Sequence, residues 1–382
     1  MKILNEKKLQ KKITKSVEKD LEKQNIGGAE IIVNQNGERV FHEVFGMKNE
    51  TEKLDYGATY RLASMTKPIT CVGVLKEVER GHIDLEEDVS FYIPKYEHTH
   101  FDIKTIVDGK IVDKGKNTKP IKVWYLLSHT SGIGSDVLGC QIFDSMTPEN
   151  KQTLDTVVDY FASQPLAFEP FTWERYSPSA AFDVAAKIVE QTSGMSYDKF
   201  LKENIFDKLK MKDTNFVPND DQWDRMVSVF KKNSDGRGEF APKDRQHVFG
   251  DLPTTYFCAG GGLSSTAEDY SLFAEMLLNK GKTKDGEQII DSKYIEKLSS
   301  PLVPDSVMKQ EFIRWGLGVR VITSKKYVLP VSSYGWSGAY GTHFWVDPVN
   351  NITAIYMKNA TYDGGAGAET AKKFEEDVMH SF

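Results

Sequence analysis

Ser64 and Lys67 stand three residues apart in the stretch Arg61-Leu62-Ala63-Ser64-Met65-Thr66-Lys67-Pro68-Ile69-Thr70. On a helix that spacing puts both side chains on one face, so an amine falls within hydrogen-bond reach of a hydroxyl. A serine hydroxyl is a poor nucleophile until its proton is taken, and a lysine buried in a pocket can take it. The chemistry such a pair supports is acyl transfer through a covalent intermediate on Ser64. A third group usually completes the proton path, and Tyr176, in Tyr176-Ser177-Pro178, is the candidate because a phenol can hold or pass a proton. On spacing alone, the favoured reading of Tyr176 is a half-buried tyrosine of the lobe surface.

Ser-x-x-Lys is a weak motif, and this chain carries it five times, at Ser16/Lys19, Ser64/Lys67, Ser196/Lys199, Ser228/Lys231 and Ser306/Lys309. Ser16 lies in a lysine-rich amphipathic helix, Ser196 and Ser306 read as caps before polar helices, and Ser228 sits in a Val-Ser-Val-Phe run. Only Ser64 is followed by a proline, tolerated in a first helical turn, and then by the apolar run Ile69 to Leu75 of a buried helix. The serine is thereby expected near the positive end of a helix dipole, which favours a developing alkoxide.

Other constellations carry less. Gly335-Trp336-Ser337-Gly338-Ala339 falls one residue short of the Gly-x-Ser-x-Gly nucleophile elbow, which needs a following helix and a later acid and histidine. Here a strand pattern follows, and the later histidines are His343, almost adjacent, and His380, near the terminus. His98-Thr99-His100 lacks a cysteine or carboxylate at ligand spacing, so no metal is expected. The run Ala259-Gly260-Gly261-Gly262-Leu263 has no following Lys-Ser/Thr and is not a phosphate loop; it reads as close backbone approach beside a pocket.

The elements that must position these residues follow from periodicity. Leu9, Ile13, Val17 and Leu21 recur every four positions and predict a helix over 8–23. Residues 29–33 and 39–45 are β-rich and joined through Asn36-Gly37, a strong hairpin signal. Helices are expected over 121–130, 154–161, 180–192, 197–209 and 270–278, the last capped by a box of Ser265 with Glu268. The segment from His98 to Lys119 reads as a hairpin-like surface excursion. Strand patterns return at 317–323, 327–331, 341–346 and 352–358, before a final helix over 368–379. Strands with a terminal helix thus occupy both ends, and helices fill the middle. The expected fold is α+β: one antiparallel sheet built from residues 1–61 and 311–382 and flanked by the N- and C-terminal helices, with a mainly helical lobe, 62–310, inserted and the active site between the two.

At 382 residues the chain is long enough for a substantial core, and its net charge of −6 is spread between interleaved lysines and acids. That pattern carries no nucleic-acid footprint. Cys71, Cys140 and Cys258 are odd in number and widely spaced, which fits neither a disulfide framework nor a zinc site. The first 24 residues are charged throughout, and no stretch approaches the roughly 20 apolar residues of a membrane span. These features predict no membrane partner and a cytoplasmic location, a trimmed exported form being the other option.

Taken together, five blocks resemble the class C β-lactamase and penicillin-recognising serine hydrolase superfamily, and within it the family VIII carboxylesterases. Ser64-Met65-Thr66-Lys67-Pro68 looks like the first motif, Leu126-Leu127-Ser128-His129-Thr130-Ser131-Gly132 like the helix-to-turn signature, and Tyr176-Ser177 like the second motif. Residues 260–269 resemble a further block, and Gly335 to Thr342 falls where the third motif belongs. The resemblance spans about residues 25–380. It implies Ser64 as acylated nucleophile, Lys67 as its base, Tyr176 as second relay, and an oxyanion hole of the Ser64 and Ala339 backbone N–H groups. It also implies that Trp336, Ser337, Gly338 and Tyr340 contact substrate, that His129 is structural, and that no cofactor is required. Two departures shape the expected substrate. Pro178 stands where the second motif has an amide side chain, and Trp336-Ser337-Gly338 replaces Lys-Thr-Gly, removing the cation that holds an acidic substrate. The expectation is a carboxylesterase acting on short or small neutral esters. β-Lactam or D-alanyl peptide hydrolysis, acyl transfer, and a catalytically weak binding protein are the alternatives.

Overall fold

The computed structural model describes residues 2–246, 253–365 and 367–382. The chain opens with helix α1, Glu6–Glu22, whose first turn is capped by the Asn5 side chain accepting from the Lys8 N–H at 3.0 Å. Its buried stripe, Leu9, Ile13 and Val17, is the one the four-residue period predicts. Strands β1 (Gly28–Gln35) and β2 (Glu38–Gly46) follow, joined at Asn36 and Gly37, which both take positive φ (56° and 75°) as a tight hairpin turn requires.

The middle of the chain is mainly helical and includes the long elements α2 (Thr66–Glu79), α3 (Ala180–Ser193) and α4 (Ala267–Leu278). The sheet resumes with β3 (Ile313–Trp315), β4 (Arg320–Ile322), β5 (Tyr334–Ser337), β6 (His343–Asp347) and β7 (Ile352–Met357), and α5 (Glu369–Met379) ends the chain. All seven strands form one antiparallel sheet in the order β2-β1-β7-β6-β5-β4-β3.

Side-chain alternation divides the core between the two faces of this sheet. Ile31, Val33, Trp345 and Tyr356 meet α1 and α5 through Leu9, Ile13, Phe374 and Val378. Ile32, Trp336, Phe344 and Ile355 face the other way, into a larger cluster built by the helical lobe. The result is three layers: terminal helices, sheet, helical lobe.

Several expected elements shift. Residues 327–331 are not a strand: Tyr327 to Leu329 pack as a connecting loop against the α1 and α5 face, and Pro330 has no N–H to offer a ladder. The strand lies instead at 334–337, hidden in sequence by Gly335 and by Gly338 just after it. At Gly335 a Cβ would stand 2.1 Å from the Phe344 carbonyl oxygen, so close strand approach demands the glycine. The expected helix over 121–130 is a short turn, Val123–Leu127, ended by His129 at φ 60°. Residues 197–209 form a helical run interrupted by a π-turn at Lys202–Phe206, and 102–116 form the surface hairpin.

The capping box at Ser265 is corrected by one residue. Ser265 pairs with Tyr60 in a short strand contact and its Oγ bonds Thr214, so Thr266 caps α4, accepting from the Asp269 N–H at 3.1 Å. Thr266→Ala is expected to lower stability in chemical denaturation by about 1 kcal/mol, whereas Glu268→Ala at the half-buried box position should stay within about 0.5 kcal/mol. Among the described residues no helix is long and apolar enough to cross a membrane.

Candidate active site

The segment entering α2 is pinned on both sides before it reaches Ser64. The Leu62 N–H donates to Leu263 O at 2.9 Å, and Thr342 Oγ1 donates to Leu62 O at 2.9 Å. Ala63 takes φ 47°, a left-handed conformation that costs a non-glycine residue on the order of 1 kcal/mol and that the surrounding contacts must hold. Ala63–Met65 form a single 3-10 turn, and Pro68 falls in the first turn of α2, where its missing N–H is harmless.

Lys67 is fully buried, and its Nζ has three oxygen neighbours: Pro178 O at 2.6 Å, Gly260 O at 2.6 Å and Ser64 Oγ at 3.2 Å. Two carbonyls can only accept, so they engage two N–H bonds in either protonation state. The remaining valence of the nitrogen, an N–H of the ammonium or the lone pair of the amine, is thereby left facing Ser64 Oγ. The rings of Tyr176 and Phe182 complete the enclosure, with centroids 4.8 and 5.1 Å from Nζ.

Tyr176 is brought to the same place. Its ring packs on His129 (4.4 Å between centroids) and Trp336 (5.5 Å), and its hydroxyl oxygen accepts from the Trp336 indole N–H at 3.2 Å. His129 Nδ1 accepts from the Ser177 N–H at 3.0 Å, which places its proton on Nε2 and fixes the 176–178 segment. Burial, with the Lys67 charge adding to it, holds His129 well below the ordinary histidine range, so it stays neutral. Pro178 contributes its carbonyl to Lys67 in place of a polar side chain.

The glycine run meets its expected use. A Cβ on Gly260 would lie 2.5 Å from Ser179 Cα and 2.6 Å from Pro178 O, so only glycine lets the two carbonyls converge on one amine. On the opposite wall, Gly338 sits where a Cβ would meet Leu62 O at 2.2 Å. The Gly338 and Gly341 N–H groups are committed to Thr342 O and Gly338 O. By contrast, among the described residues the N–H groups of Ser64 and Ala339 donate to no backbone acceptor, as oxyanion donors require.

The residues grouped with Trp336 divide. Trp336 faces Tyr176, Ala339 is exposed, and Tyr340 is half-buried near Arg61 and Asp244. Ser337, next along β5, points through the opposite face of the sheet. Its Oγ bonds His343 Nδ1 at 2.8 Å, His343 Nε2 bonds Glu375 at 3.1 Å, and Glu375 pairs with Arg320. Expecting Ser337 to contact substrate is therefore corrected: strand alternation turns it away from Trp336. The same geometry removes the nucleophile-elbow reading, since Ser337 is 3 % exposed and leads into β6 rather than a helix.

Two residues of the site escaped the sequence reading. Trp315 stands 4.5 Å from Trp336 between ring centroids, its indole N–H bound to Glu174 at 2.6 Å, and it packs buried behind Trp336 and Tyr176. Asp183, fully buried on α3, accepts from the Tyr256 hydroxyl at 2.7 Å and the Ala259 N–H at 2.8 Å. The available signal was an acid set among Ala180, Ala181, Val184 and Ala185 in the buried first half of the helix. Among the described residues no group of three or more histidine, cysteine, aspartate or glutamate side chains could hold a metal.

Comparison with known proteins gives a consistent picture. The family model described as Beta-lactamase matches residues 13–375. Protein Rv1367c of Mycobacterium tuberculosis (strain ATCC 25618 / H37Rv) is 26% identical over 314 residues, covering 78% of this chain and 76% of that one. Among solved structures, EstCE1, titled a hydrolase with promiscuous acyltransferase activity, superposes with a TM-score of 0.81 at 20% identity, over 98% of this chain and 99% of that one. Unliganded simvastatin synthase (LovD) from Aspergillus terreus, as its selenomethionyl derivative, gives 0.77 at 19% identity over 97% and 98%.

Proposed function

The chain belongs to the beta-lactamase family, within the serine hydrolase superfamily that also holds the penicillin-binding proteins, and from that premise we propose that it is a carboxylesterase acting on small neutral esters through a Ser64 acyl-enzyme. The observation that carries this reading is the Lys67 amine, whose two carbonyl partners leave its remaining valence facing Ser64 Oγ.

Ser64 Oγ attacks the acyl carbon while its proton passes to Lys67 Nζ. Charge that builds on the carbonyl oxygen is met by the N–H groups of Ser64 and Ala339. Collapse of the tetrahedral species breaks the ester C–O bond, and the departing alkoxide receives the proton from Lys67 by way of the Tyr176 hydroxyl. Water then attacks the acyl-enzyme, and the same groups run in reverse to release the acid and restore Ser64.

A neutral substrate fits the walls. Tyr176 is half-buried and backed by the buried rings of Trp315 and Trp336, and the nearby cation Arg61 is committed to Asp244 at 2.6 Å and Gln246 O at 2.9 Å. A carboxylate-bearing β-lactam or peptide would find no free positive partner among these groups. Acyl transfer to an alcohol is the second reading, favoured by the likeness to EstCE1.

The test is modification with an activated fluorophosphonate, peptide mapping of the adduct, and turnover of a short p-nitrophenyl ester with and without an added alcohol. An adduct on Ser64 with ester turnover is the expected result, and a new ester product with the alcohol would assign transfer. An adduct elsewhere, or faster turnover of a β-lactam than of any neutral ester, would sink the proposal.

A further inference from the structure

The Ser64–Lys67 pair depends on the Gly260 carbonyl, and that carbonyl depends on how the loop 256–262 is held. Thr70 Oγ1 donates to Ala259 O at 2.8 Å, the Gly262 N–H closes on Cys258 O at 2.8 Å, and Thr66 Oγ1 takes the Leu263 N–H at 3.2 Å. The Ala259 N–H itself is held by Asp183, whose other oxygen takes the Tyr256 hydroxyl. Asp183 thus binds both ends of the Tyr256–Ala259 segment. It lies on α3, beyond the turn that carries Pro178, the other carbonyl on Lys67.

We propose that Asp183 is the positioning residue of this site: it fixes the Gly260 carbonyl on Lys67, and its carboxylate balances the ammonium that forms on Lys67 when Ser64 gives up its proton. This rests on the Ser64 acyl-enzyme reading. Asp183 does not touch the reacting atoms, and it acts through the loop and through the field at Lys67. The charged and titratable groups facing it are Lys67 from α2, Tyr256 and Cys258 from the loop, and Tyr96 and Tyr197 from the surrounding helical lobe. Of these, Lys67 is the group that becomes an ammonium when it takes the Ser64 proton.

The carboxyl is pushed up to about 7, burial being the main cause, against its hydrogen bonds from Tyr256 and Ala259 and the pull of Lys67. Below that value the carboxyl is neutral and the forming ammonium lacks its counter-charge. Above it the counter-charge is present. Serine activation should therefore rise with pH through the neutral range.

The experiment reads the rate at which an activated fluorophosphonate modifies Ser64, from pH 5.5 to 8.5, in the wild type, Asp183→Asn and Tyr256→Phe. Asparagine can keep the Ala259 hydrogen bond through its Oδ1 and removes the charge, its amide N–H then donating to the Tyr256 hydroxyl. We expect the wild-type rate to rise with an inflection near 7 and Asp183→Asn to lack that inflection. At pH 8 it should label at least about tenfold more slowly, the scale of losing one nearby charge in a protein interior. In Tyr256→Phe the carboxylate loses a donor, so the inflection should move to higher pH. Profiles for Asp183→Asn that run parallel to the wild type would reduce Asp183 to a structural role and overturn the proposal, as would an unmoved inflection in Tyr256→Phe. If Asp183→Asn does not fold, Tyr256→Phe alone decides. No wild-type adduct on Ser64 would remove the acyl-enzyme reading as well, whereas an adduct with superimposable profiles removes only the role of Asp183.

Discussion

Replacing Ser64 with alanine, Lys67 with methionine, or both together is expected to bring hydrolysis of a short p-nitrophenyl ester to one common floor, roughly 10³- to 10⁶-fold below the wild type. The reason is geometric. Lys67 Nζ gives two of its three hydrogen-bond contacts to carbonyls that cannot exchange protons, so the group it can deprotonate directly is Ser64 Oγ at 3.2 Å. Ser64 has no other base in contact among the described residues. His129 is turned to the Ser177 N–H, and Tyr176 receives the Trp336 indole. Groups that act as one unit lose their function when either is removed, so the double variant should be no worse than the poorer single one. Multiplying losses would mean that Ser64 and Lys67 work separately, and the proton would need another path. Circular dichroism on each variant establishes that the comparison is between folded proteins.

The choice of Ser64 among five Ser-x-x-Lys matches shows what the sequence could carry. Lys19, Lys199, Lys231 and Lys309 are all exposed, and Ser16 is bonded to Asp377 across the terminal helices. Lys67 alone of the five lysines is buried. The proline and the apolar run after Ser64 announced this, because both describe local properties: helix start and helix burial. The Asn36-Gly37 hairpin and the stripe of α1 were legible for the same reason.

What escaped depended on partners far away in the chain. Ser337 and Trp336 are neighbours, yet one faces α5 and the other Tyr176, and only the pairing of Ser337 with His343 in the sheet decides which. Gly335 and Gly338 look like loop residues until the Phe344 and Leu62 carbonyls are in place beside them. Asp183 and Trp315 are single polar or aromatic residues whose meaning comes from Tyr256, Ala259 and Glu174, each distant in sequence. Thr266 takes the cap from Ser265 because Tyr60 and Thr214 claim Ser265 first. In each case a tertiary contact overrode a local pattern.

Gly338→Ala should cost about 10²- to 10³-fold in kcat with little change in KM, the loss that follows from misplacing one oxyanion donor. The added Cβ would stand 2.2 Å from Leu62 O and 2.2 Å from Thr342 Oγ1. Thr342 could rotate, but Leu62 O is backbone two residues ahead of Ser64, and Leu62 is itself tied to Leu263. The turn carrying Ala339 therefore has to lift away from the segment carrying Ser64, and the two N–H groups that must converge on one oxygen separate. Because the ground-state ester gains little from them, binding survives while the transition state suffers. Crowding of this kind typically costs about 1 to 3 kcal/mol of stability, so the assay belongs well below the melting transition. Ser337→Ala is the control: it alters the adjacent residue, on the face bound to His343 and Glu375, and should leave kcat within about threefold because no reacting atom is reached. Equal losses in the two variants would show that the whole strand, rather than the oxyanion turn, had been disturbed. An unchanged kcat in Gly338→Ala would move the second donor away from Ala339.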